Sequence, residues 1–218
     1  NASGGDVYAG GLVGYSTGTT TIADSYSTGA VIGNAGSSET GSFSWWGSYG
    51  GDAYAGGLVG YSSAAVNIEN SGATAIGAVT KVIIGQVRAV GGSASSVDGN
   101  SWGGDATAGG LVGYGSIESI GNSNSSAIVY ATGGAANSVN SNSYGGDAYA
   151  GGLAGDIGKY GESGIITGSS ATGNVTSTAG VGSGNYGYSG IATAGGLVGY
   201  NDGVDINDSF ATGNVKGS

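Results

Sequence analysis

The chain of 218 residues has no cysteine, histidine, methionine or proline, and only four of its residues are basic. Without cysteine there are no disulfides and no thiol chemistry. Without histidine the commonest general base near neutral pH and the commonest nitrogen ligand for a metal are missing. The absence of methionine, initiator included, points to a processed chain or an internal segment. No hydrophobic run approaches the length of a membrane span, and no signal-like pattern opens the chain.

Lys81, Arg88, Lys159 and Lys216 stand against 14 acidic residues, for a net charge of −10. Nucleic acid is therefore not expected as a partner, because backbone phosphates call for clustered Lys and Arg. Only 8% of residues are charged. The surface is then mostly Ser, Thr, Asn, Gly and aromatic, which suits the outside of a cell, and neither membrane insertion nor a cofactor is expected.

What is abundant is glycine, with 52 residues, close to the content at which disorder becomes the default reading. Regular apolar positions argue the other way: 39% of the chain is hydrophobic, including 14 Tyr and 3 Trp. Flexible Gly/Ser linkers lack such positions.

Those positions repeat. Ala-Gly-Gly-Leu-Val-Gly-Tyr or a near variant occurs in copies anchored at Gly10, Gly56, Gly109, Gly151 and Gly195, spaced by 46, 53, 42 and 44 residues. The fourth copy departs, with Ala154 for Val and Asp156 for Tyr. A second block of the form Ile-x-Asp/Asn-Ser-x-Ala-Thr-Gly-x-Val follows each copy, as in INDSFATGNV from Ile206. Upstream of four copies stand an aromatic (Tyr49, Trp102, Tyr144, Tyr188) and, closer in, an Asp column of Asp6, Asp52, Asp105 and Asp147, interrupted at Ile191.

Each copy contains short alternating or β-branched segments between Gly, Ser and Asn clusters, and none has helical periodicity. Like strands at a regular interval can stack in register. The expectation is an all-β parallel β-solenoid, or β-helix, of about five repeats in one domain over residues 1–218. Because a coil usually takes roughly twenty to thirty residues, each repeat is expected to hold two coils or one large coil of three or four strands, and two are favoured. Glycine serves corners that need positive φ and places where sheets approach closely.

The invariant Leu column (Leu12, Leu58, Leu111, Leu153, Leu197) is expected to face inward. Alternation then turns the Val and Tyr columns outward, either beneath another layer of the same subunit or as a stripe for lateral association.

AGGLVGY followed by NDSFATGNV resembles the GLUG motif, found in large bacterial and archaeal surface proteins similar to filamentous haemagglutinin. The resemblance implies an extracellular β-solenoid stalk or adhesive module and supplies no catalytic residues. The copies are spaced about twice as far apart as tandem GLUG motifs, and aromatic-rich inserts such as GSFSWWGSYGG fill the difference.

Candidate chemistry is sparse. A catalytic carboxylate pair occurs at one place, whereas the Asp6 series and a second series of Asp24, Asn70, Asn122 and Asp208 recur with the repeat, as turn-binding scaffold residues do. The calcium repeat Gly-Gly-x-Gly-x-Asp is not matched. Thr28, Thr74, Thr132, Thr172 and Thr212 read as one threonine column, without the paired Thr-x-Thr of ice-binding solenoids. Trp45, Trp46, Tyr49, Trp102, Tyr144, Tyr186 and Tyr188 fit either packing or a surface for sugar rings. No catalytic, cofactor-binding or metal-binding residue is assigned.

The expected function is a non-enzymatic extracellular structural protein, part of a surface filament or adhesin stalk. Its expected partner is itself, head to tail and also laterally. A carbohydrate- or surface-binding adhesin module that recognises surface glycans is the alternative.

Overall fold

The structure is a computed structural model that describes residues 2–40, 47–73, 85–159 and 164–218. It is all-β and solenoid-like: paired strands run parallel, and no helix occurs among the described residues. Val7–Gly10, Ala53–Gly56, Ala106–Gly109, Ala148–Gly151 and Ala192–Gly195 form one five-stranded sheet in chain order. Ala9 pairs with Ala55, Ala55 with Ala108, Ala108 with Ala150, and Ala150 with Ala194. Two stacked coils per repeat would place a strand between Ala55 and Ala108, yet the ladder joins them directly.

The reason lies in how the extra residues are used. From the alanine sheet the chain turns into a longer strand, such as Val59–Glu69, and then into a two-residue strand, such as Asn124–Ser125. It returns along a valine-rich strand, such as Gln86–Val90 or Ile128–Thr132. These elements enclose a main lobe. The remaining residues run out into a second lobe, a wing, and come back. Its outgoing ply includes Ser38–Glu39 and Ala94–Ser96, and its returning ply includes Ser48–Tyr49 and Ser101–Trp102.

Glycine closes the neck between the lobes. Gly5, Gly36, Gly51, Gly92, Gly104, Gly134, Gly146, Gly180 and Gly190 form a single chain of backbone hydrogen bonds at 2.8 to 2.9 Å, each amide donating to the carbonyl of the glycine before it. Returning and outgoing segments alternate along this zipper. A Cβ on Gly104 would overlap the carbonyl oxygen of Gly51, and one on Gly134 that of Gly92. The crossing backbones therefore have no room for a side chain.

The main lobe has two apolar clusters. Ala53, Ala55, Ala106, Ala108, Ala148 and Ala150 face the valine-rich strands through Val87, Val129 and Val175, which makes a thin contact. Leu58, Leu111 and Leu153 are fully buried with Ile68, Ile120 and Ile166. Each such leucine contributes about 1.5–3 kcal/mol by leaving water. The leucines stack as expected: the amides of Leu58, Leu111 and Leu153 each donate to the next leucine's carbonyl, at 2.8, 2.7 and 2.7 Å. Leu12, in the first copy, is 47% exposed.

The valine column differs from expectation in its direction, because Val59 and Val112 are buried in the same apolar cluster as Leu58 and Leu111. Gly57 and Leu58 form a bend, so strand alternation restarts at Val59. The arch is tight: a Cβ on Gly56 would overlap the Val59 carbonyl, and one on Gly60 would lie 2.6 Å from the Ala9 carbonyl oxygen.

The wing has a polar interior. Ser48, Ser96, Ser101, Ser138 and Ser143 are buried in it. The Ser38 and Ser48 hydroxyls meet at 2.7 Å, Ser101 Oγ donates to the Asn137 carbonyl at 2.8 Å, and Ser138 Oγ donates to the Gly99 carbonyl at 2.8 Å. Hydrogen-bonded hydroxyls avoid the penalty of unpaired burial.

Candidate functional site

The first acidic column sits where the chain leaves the neck for the alanine sheet. Asp6 Oδ1 accepts the amide of Asp52 at 2.9 Å, Asp52 that of Asp105 at 2.8 Å, Asp105 that of Asp147 at 2.7 Å, and Asp147 that of Ile191 at 2.8 Å. Ile191 thus ends the series as a donor only. Burial pushes the Asp52 and Asp105 carboxyls above the ordinary carboxylate range, while the amide donated by the next repeat pulls them back. These carboxylates hold backbone between repeats.

The second column is a corner. Asp24, Asn70, Asn122 and Asp208 have φ of 49°, 46°, 45° and 48°, and Gly168 takes the same place at 57°. Asn, Asp and Gly are the residues that tolerate this left-handed conformation. Beside it runs a serine column that the sequence reading did not separate: Ser25, Ser71, Ser123, Ser169 and Ser209. The amides of Ser25, Ser71, Ser123 and Ser169 each donate to the next serine's hydroxyl at 3.1 to 3.2 Å. The hydroxyls of Ser71 and Ser123 donate to the carbonyls of Glu69 and Gly121, each at 2.7 Å. The invariant serine after Asp or Asn was the available signal.

The threonine column needs a correction. Thr28, Thr172 and Thr212 each follow a two-residue strand, and the third copy has Ser126 there. Thr132 belongs instead to the valine-rich sheet, opposite Val90 and Thr178. Thr74 lies outside the described residues.

Tyr49, Trp102, Tyr144 and Tyr188 stack along the returning ply of the wing. Successive ring centroids are 4.6, 5.8 and 5.2 Å apart, with interplanar angles of 1°, 15° and 10°. Ring faces therefore meet ring faces along the column. A sugar platform needs a free face, so this geometry favours packing between repeats. Tyr186 lies on the same strand as Tyr188, exposed. Trp45 and Trp46 lie outside the described residues.

A second aromatic ladder flanks the arch. Tyr15, Tyr61 and Tyr114 stack at 5.2 and 4.9 Å, and the parallel pair Tyr8 and Tyr54 meets them edge-on. Tyr54 Oη donates to Asp52 Oδ2 at 3.4 Å, and Tyr149 Oη donates to Asp147 Oδ2 at 3.0 Å. At the fourth step the ladder has Asp156, followed by Tyr200. A cleft of about 480 Å³ opens there, lined by Tyr114, Ser116, Asp156, Tyr200 and Asp202. Burial, with the Asp202 carboxylate second, pushes the Asp156 carboxyl up to about 6. The repeat pattern showed the substitution at this position, but not that a cleft results.

No curated protein and no solved structure matches the chain. Residues 5–32 match the family model described as the GLUG motif. That span begins at the neck glycine Gly5 and runs once around the main lobe into Val31–Asn34. The wing lies outside the matched span. In family terms, this chain carries a GLUG motif at residues 5–32, and the motif is the main lobe of its first repeat.

Proposed function

We propose that the chain is a non-enzymatic structural module, a β-solenoid segment of an extracellular surface filament or adhesin stalk. In this reading it makes five turns, one two-lobed turn per repeat. The observation that carries it is the Asp6, Asp52, Asp105 and Asp147 column, whose carboxylates are taken up by the amide of the following repeat. Side chains that repeat in register and bind the next layer are spent on propagating the stack.

Five turns rise only about 24 Å, at roughly 4.8 Å per strand. A stalk then needs further turns, supplied by the same polypeptide or by end-to-end stacking of copies. Stacking of this kind is heterologous and open, so it gives fibres. The −10 net charge opposes lateral clumping and leaves the ladder edges as the favoured contact.

Negative-stain microscopy of the purified chain tests the proposal. Fibres or axial stacks with a cross-strand repeat near 4.8 Å are expected. Only isolated particles at high protein concentration, across a range of salt, would remove self-assembly from the reading.

A further inference from the structure

The interruption of the tyrosine ladder has the form of a binding site. Tyr15, Tyr61, Tyr114, Asp156 and Tyr200 share one register position. Below the break, Tyr61 and Tyr114 show the spacing a stacked ring adopts here, 4.9 Å between centroids at 11°. At the break the side chain is short. Tyr114 and Tyr200 are then two strand spacings apart, about 9.6 Å, which leaves room for one planar group about 3.4 Å thick between two rings. Gly115 and Gly158, which also line the cleft, put no side chain into it.

The charge of the cleft selects the ligand. Asp156 and Asp202 both line it, they repel each other, and no hydrogen bond or ion pair involves either carboxylate among the described residues. A neutral ring, such as a sugar, would fill the gap and leave that repulsion in place. A compact ammonium would answer the charge without using the flat slot. A planar cation does both, since guanidinium stacks on aromatic faces and pairs side-on with carboxylates.

We propose that the cleft is a receptor for one guanidinium or amidinium group, which takes the vacant ladder step between Tyr114 and Tyr200 and directs its charge to Asp156, with Asp202 at the rim. The source is either an arginine side chain of a partner protein or a free small cation. The chemistry is the same for both.

Titration of the whole chain with benzamidine, methylguanidinium and an arginine-containing peptide, followed by NMR shifts, tests the assignment. Saturable one-to-one binding is expected, weakened at least tenfold in Asp156→Asn. In Asp156→Tyr, which completes the ladder and so retains the fold, binding is expected to be lost. Far-ultraviolet circular dichroism confirms that both variants are folded. Peptide affinity more than tenfold above that of methylguanidinium identifies a protein partner, and equal affinities identify a small cation.

The groups facing Asp156 are Asp202, Tyr114, Tyr149 and Tyr200. Burial pushes the Tyr114 and Tyr149 phenols further up, away from this range, so weakening of affinity as pH falls through about 6 reports on the Asp156 carboxyl. No binding of any cationic probe, unchanged binding in Asp156→Tyr, or equal binding of a neutral disaccharide would each overturn the proposal. None of these outcomes depends on whether the chain forms fibres.

Discussion

The amide of Asp147 donates to Oδ1 of Asp105 across 2.7 Å, so one repeat is held by the carboxylate of the repeat before it. Replacing Asp105 with Ala leaves that amide without its acceptor. Urea unfolding should show a loss of about 1–3 kcal/mol, and Asp105→Asn, which keeps a carbonyl oxygen at the site, should recover most of it. Equal losses in the two variants would mean that the hydrogen bond contributes little.

The neck tolerates no side chain. Gly104→Ala drives a methyl into the Gly51 carbonyl and Gly134→Ala into that of Gly92. Each should cost at least about 3 kcal/mol, the upper end for overpacking, because the obstacle is backbone. Gly18→Ala is the control: nothing lies within 4 Å of its Cβ, and its effect should stay within about 0.5 kcal/mol. Thermal melts of the three variants are the measurement, and similar melts would contradict the glycine zipper.

At the left-handed corner, Asn122 has φ of 45°. Asn122→Ala should destabilise by about 1–2 kcal/mol. Asn122→Gly should be milder, since Gly168 already fills the same corner in the next repeat. The reverse order in chemical denaturation would show that the Asn122 side chain, which donates to Glu69 Oε1 at 2.9 Å, matters more than the backbone conformation.

Asp156 makes stability depend on pH in a definite direction. Its folded pKa is about 6, above the value of about 3.9 in an unfolded chain. The folded protein therefore holds this proton more tightly. The stabilisation is complete below about pH 4 and is lost as the pH rises through about 6. Comparing wild type with Asp156→Asn isolates the effect. The wild type should gain stability relative to the variant between pH 7 and pH 4, and a difference that is flat or of opposite slope would rule this out.

The two-lobed turn was not legible in the sequence, although its parts were. Repeat spacing and period-two patterning gave parallel strands, the inward leucines, the Asp and Asn columns and the aromatic column of the wing. Three readings failed where the chain bends. The valines were assigned outward because alternation was carried across Gly57 and Leu58, where the backbone turns and parity restarts. Thr132 and Thr172 sit in similar Ala-Thr-Gly triplets, but the strands put Ser126 in the column of Thr172. The usual length of a coil favours two per repeat, whereas here the wing takes up the residues of a second one and Ala55 pairs directly with Ala108.

The sequence by itself determined which residues repeat, and hence which backbones can pair, since like segments at a regular interval stack without further instruction. Only the tertiary structure decided how that interval is divided. The Gly-Gly pair before Asp and the Gly-Gly pair before Leu look alike as text. One lies where outgoing and returning chains cross and the other where a strand folds onto its successor, and that difference depends on contacts between residues dozens of positions apart.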